Sequence, residues 1–134
     1  MKNIPRIAII EDDKDINNLI AYNLRKEGFF VEQIYDGLKA KEVLKEQLFN
    51  IVIIDIMLPG ADGFELCQTL KHRSDAFGTF IIVISVKNAV EDKLYAHILG
   101  ANCYFTKPFS LRELIKTARE FAGLVGREYV VSGR

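Results

Sequence analysis

Three runs of four consecutive apolar residues, Ile7–Ile10, Ile51–Ile54 and Ile81–Ile84, constrain this chain more than any other feature. They are of strand length, and they do not alternate with polar residues. A strand that is apolar throughout is covered on both faces, which is the habit of a parallel sheet held between layers of helix. Between the runs lie stretches whose apolar residues recur at spacings of three and four, the period of an amphipathic helix.

Five strands are expected on this basis: Arg6–Ile10, Phe29–Ile34, Asn50–Ile54, Thr79–Ile84 and Ala101–Phe105. A first helix carries Ile16, Leu19, Ile20 and Leu24 on one face and stops at Gly28; a second spans Leu38–Leu48. A third is capped by Asp62 and carries Phe64, Leu66, Cys67 and Leu70, and a fourth runs from about Ala89 to Leu99 and closes at Gly100. The last places Leu111, Leu114, Ile115, Ala118, Phe121, Ala122 and Val125 on its core face. Five βα units joined by right-handed crossovers give a doubly wound α/β domain. Its length of 134 residues suits one domain, here residues 1–124, followed by a tail or linker stub at residues 125–134.

Composition narrows the function. Lys plus Arg and Asp plus Glu both number 18, which argues against a basic nucleic-acid surface. No apolar run reaches the roughly 20 residues of a membrane span, and there is no signal-peptide core at the start. Cys67 and Cys103 form no paired motif and read as reduced thiols, so the expected compartment is the cytoplasm. His72 and His97 fall on helices away from the acidic residues and read as helix-face histidines.

Asp55 is the anomaly, a carboxylate at the end of Ile51–Ile54 where an ionised group is costly unless paired or bound to metal. In open parallel sheets, ligands bind beyond the carboxyl ends of the strands. Glu11, Asp12 and Asp13 lie just past the first strand, and Asp55 just past the third. If those strands are neighbours, several carboxylates converge and raise one another's pKa unless a cation intervenes. Mg²⁺, which takes oxygen ligands and retains waters, is the natural one. Asp13 has a simpler reading as the N-cap of the first helix. Past the fourth strand comes Ser85, and past the fifth Lys107, whose ammonium can offset the acids and hold a phosphoryl oxygen. Together they describe one phosphoryl-binding site.

The ordered segments IIEDD, IVIIDIMLPGADG, IIVIS and GANCYFTKPF resemble the receiver domain of bacterial two-component response regulators over roughly residues 5–124. The resemblance implies a flavodoxin-like (βα)5 fold with a sheet of order 2-1-3-4-5. It implies Asp55 as phospho-acceptor; Asp12, Asp55 and the backbone carbonyl of Met57 as Mg²⁺ ligands, with Glu11 assisting; Ser85 and Lys107 as phosphoryl contacts; and Ser85 with Tyr104 as the switch pair. A cis peptide before Pro108 is expected on the same ground. The implied partners are a sensor histidine kinase or phosphotransfer protein as donor, and an output protein or attached effector domain on the surface of the fourth helix, fifth strand and fifth helix. No nucleic acid or membrane contact is expected of the domain itself, and it is expected to be a signalling domain rather than an enzyme.

Some residues depart from the family's habit. Val86 is β-branched where a small residue is usual, and is expected to narrow the phosphoryl pocket. Asn102 and Cys103 replace an acidic pair, and Thr117 an arginine, which weakens the charged dimer many members form even if Lys93 and Glu113 pair. Met57 has no polar group to guide an attacking water, so slow self-dephosphorylation is expected. An aspartate-nucleophile phosphatase would carry an acid where Met57 stands, and a flavin binder would not place EDDKD at its phosphate loop. A receiver used as an interaction module without phosphorylation is the remaining alternative.

Overall fold

The computed structural model describes residues 4–73 and 78–125; the expected tail beyond Val125 lies outside them. Twelve elements follow in order: β1 (Arg6–Ile10), α1 (Lys14–Lys26), β2 (Phe30–Ile34), α2 (Gly37–Glu46), β3 (Ile51–Asp55), the two-residue strands β4 (Met57–Leu58) and β5 (Ala61–Asp62), α3 (Gly63–His72), β6 (Phe80–Ser85), α4 (Val90–Ile98), β7 (Cys103–Thr106) and α5 (Leu111–Leu124). The main sheet is parallel throughout, in the order β2-β1-β3-β6-β7. Since β4 and β5 pair only with each other, this is the expected order of second, first, third, fourth and fifth strands.

Pleating sorts the side chains into two cores. Ile7, Ile9, Ile51, Ile53, Ile82 and Ile84 pack against α1 and α5, while Ala8, Ile10, Val52, Ile54, Ile81 and Val83 pack against α2, α3 and α4. Burial on both faces is what the unbroken apolar runs required.

Helix ends follow local chemistry. The Asp13 carboxylate accepts from the N–H groups of Asp15 and Ile16, and Asp62 caps α3 through Phe64 N–H. Gly28 and Gly100 close α1 and α4 with positive φ. One expected face is turned: Leu19 is 50% exposed, and α1 instead buries Asn17, Ile20, Ala21 and Leu24. Strand β6 extends one residue further than expected and includes Ser85, while β7 starts two residues later, at Cys103.

Candidate functional site

Register brings the acids level. Ile10 pairs with Ile54, so Glu11 and Asp55 stand one step further along neighbouring strands. Asp55 in turn pairs with Ile84, and Ser85 with Thr106, which places Ser85 and Lys107 at the same edge. The alternation of the pleat turns Glu11, Asp55 and Lys107 toward the α1/α5 face, and Ser85 and Tyr104 toward the α4 face.

Glu11 is fully buried and Asp55 is 5% exposed. Lys107 Nζ lies 2.7 Å from Asp55 Oδ2 and 2.5 Å from Glu11 Oε1, bridging the two. Asp55 Oδ1 accepts from the Met57 N–H at 2.8 Å, and Glu11 Oε2 from the Asp13 N–H at 3.0 Å. This is how the sheet tolerates Asp55: one oxygen is ion-paired and the other is hydrogen-bonded. Burial pushes the Glu11 carboxyl above its ordinary value, with Lys107 and the Asp13 N–H pulling it back and the Asp55 charge adding to the rise. For Lys107, burial lowers the pKa, but hydrogen bonds to Asp55 and Glu11 outweigh it and hold the ammonium above its ordinary value.

The fit of a divalent cation can be tested on these atoms. Oxygens of Glu11, Asp12 and Asp55 all lie within 4.8 Å of one another. Three carboxylates against one ammonium leave an excess of two negative charges when all are ionised (3 − 1 = 2). Asp12 is exposed, so water has access. A cluster of hard oxygens, an excess of negative charge and open access suit Mg²⁺ with part of its water shell retained.

On the other face, Ser85 Oγ accepts from the Lys87 N–H at 3.2 Å, and the Tyr104 hydroxyl donates to the Lys87 carbonyl at 2.8 Å. Burial raises the Tyr104 pKa, a hydrogen bond with Ser85 opposes this, and Asp92 and Asp55 add to the rise. The Tyr104 hydroxyl thus ties β7 to the loop between β6 and α4. Val86 is 60% exposed and lines a surface groove with Ile16, Leu19, Lys107, Pro108, Phe109 and Leu111, beside the lysine that bridges the two carboxylates. The Lys107–Pro108 peptide is cis.

Sequence reasoning missed Asn17, a fully buried amide bonded to the backbone of Glu11. The signal was its spacing: 17, 20, 21 and 24 form a tighter helical face than 16, 19, 20 and 24.

The family of the response regulator receiver domain matches residues 7–119. Among solved structures, a CheY-like receiver domain protein from Methanospirillum hungatei JF-1 is 27% identical with a TM-score of 0.85, covering 94% of this chain and 99% of its own. The receiver domain of the Francisella response regulator 1452 is 27% identical at a TM-score of 0.82, covering 90% and 98%. DrrB, a Thermotoga maritima OmpR/PhoB homologue, is 27% identical at a TM-score of 0.81; the match covers 94% of this chain and 54% of that longer one. The fold, the acidic edge and these likenesses define a signalling domain of two-component systems rather than a conventional enzyme. The chain belongs to the response regulator receiver domain family. Among the described residues no helix is long and apolar enough to cross a membrane.

Proposed function

We propose that this domain accepts a phosphoryl group on Asp55 from the phosphohistidine of a sensor kinase or phosphotransfer protein, and signals through the surface formed by α4, β7 and α5. One observation carries the reading: Glu11, Asp12, Asp55 and Lys107 converge at a single sheet edge, although they come from three strands' ends.

In this reading an Asp55 oxygen attacks phosphorus, an O–P bond forms as the donor's N–P bond breaks, and the imidazole leaves and takes up a proton. The rigid end of β3 aims the nucleophile, and the Met57 N–H fixes its carboxylate plane. In this reading Lys107 neutralises Asp55 before attack and its ammonium takes a phosphoryl oxygen afterward, and the Ser85 hydroxyl turns from the α4 face to take another. Glu11, Asp12, Asp55 and the Met57 carbonyl would hold Mg²⁺, which supplies positive charge for the phosphoryl oxygens. A phosphoryl group that recruits Ser85 disturbs its bond to Lys87 N–H, and through Tyr104 and the Lys87 carbonyl the start of α4. The exposed apolar residues of α4 support that helix as part of the output surface.

Mass spectrometry after incubation with acetyl phosphate and Mg²⁺ tests the proposal. One added phosphoryl group is expected on the wild type and none on Asp55→Asn; an unmodified wild type, or a modified variant, overturns it.

A further inference from the structure

Past Ile10 the ladder between β1 and β3 ends; the Glu11 N–H still donates to the Ile34 carbonyl of β2 at 3.0 Å, but the Glu11 carbonyl and the backbone of Asp12 and Asp13 need another hold. Much of that hold comes from α1. Asp13 caps its first turn, and Asn17, one turn on and fully buried, reaches back to the loop. Its amide Nδ2 donates to the Glu11 carbonyl at 3.0 Å and the Ile34 carbonyl at 3.1 Å, with the Ile9 carbonyl at 3.5 Å. Its Oδ1 accepts from Gln33 Nε2 at 3.0 Å, which leaves neither end of the amide without a partner.

We propose that Asn17 is a positioning residue for the acidic cluster: it fixes the backbone that carries Glu11 and Asp12 so that their carboxylates meet Asp55 at cation-binding distance. The inference rests on the reading that this cluster binds a divalent cation. Glu11 is pinned twice, its carbonyl by Asn17 and its side chain by the Asp13 N–H and Lys107. Removing the amide leaves the Glu11 carbonyl short of a donor in a dry environment and the Ile34 carbonyl with the Glu11 N–H alone. The loop then relaxes toward water, and the oxygens that must converge on one ion spread. Gln33 orients the amide and is itself held by Asn18 Oδ1 at 2.7 Å and by Arg25 Nη1 at 2.9 Å. A chain of hydrogen bonds thus runs from the exposed guanidinium of Arg25 to the acidic site. Residues that orient ligands in this way typically change metal affinity by about 10- to 100-fold when removed.

The test is a Mg²⁺ titration followed by backbone amide NMR shifts, on wild type, Asn17→Ala, Gln33→Ala and Leu70→Ala. Leu70 is a buried residue of α3 and serves as a destabilised control remote from Asn17. The Mg²⁺ Kd is expected to rise by about tenfold or more in Asn17→Ala, by less in Gln33→Ala, and not at all in Leu70→Ala. Wild-type affinity in Asn17→Ala, or an equal loss in Leu70→Ala, overturns the inference while leaving the cation site standing. Absence of saturable Mg²⁺ binding in the wild type overturns the site itself, and the inference with it. Should Asn17→Ala not fold, Gln33→Ala decides: a raised Kd supports the inference and a wild-type Kd overturns it.

Discussion

Helices α1 and α4 flank the acidic edge from opposite faces of the sheet, and they are attached to it very differently. Over thirteen residues, α1 buries Asn17, Ile20, Ala21 and Leu24 and is capped by Asp13. The nine residues of α4 bury only Ala96, and its N-cap position, Ala89, offers no side-chain bond. Val90, Leu94, Tyr95 and Ile98 are each at least half exposed. So short a helix is marginal by itself in water, and here its tertiary anchorage is thin. The fold therefore holds the side that carries the acids firmly and the side that faces outward lightly. The proposed function, in which one edge binds with precision and another surface changes, needs that division.

Stability gives the largest contrast. Leu24→Ala is expected to lower the free energy of unfolding by about 2–5 kcal/mol, because it opens a cavity under α1. Leu94→Ala on α4 should stay within about 0.5 kcal/mol, since its side chain is already in water. Urea denaturation measures both, and similar losses would break the contrast. Native-state hydrogen exchange sharpens it: amides of α4 should open locally, well before those of α1, which should follow global unfolding. Coincident opening free energies would contradict this.

Tyr104→Phe is expected to cost about 1 kcal/mol by removing the bond to the Lys87 carbonyl. Faster exchange should then be confined to the β6–α4 loop and the start of α4, with α1 unaffected. A further contrast concerns the thiols. Burial pushes Cys67 up to about 12 from 9.0, with the Asp62 charge adding to the rise. Cys103 is also raised, chiefly by burial, but its side chain is only partly covered. Alkylation at pH 8 should reach Cys103 first. Between about pH 9 and 12 the unfolded chain loses the Cys67 proton while the folded one keeps it, so stability should fall as pH rises through that window.

The sheet was legible in the sequence because burial on both faces leaves no polar residue inside Ile51–Ile54 or Ile81–Ile84, and the caps Asp13 and Asp62 were legible because capping is local chemistry. The convergence of Glu11, Asp55 and Lys107 could be read once strand order was supplied, since strand ends are where register puts neighbours together. The α1 face was misread. Leu19 looked like core and Asn17 went unnoticed, because hydrophobicity does not disclose an amide buried to serve three carbonyls. Strands β4 and β5, at two residues each, are too short to have a period.

The turn between β3 and α3 carries one further consequence. A methyl group at position 63 would stand 2.3 Å from the Ile56 Cα, against backbone that cannot yield without shifting its neighbour Asp55. Met57, by contrast, serves Asp55 through its main chain, and its side chain is half in solvent. In a saturation library selected for folding and Mg²⁺ binding, position 63 should therefore return glycine alone, while position 57 accepts nearly any side chain and becomes a place where chemistry beside Asp55 can be tuned without disturbing the fold.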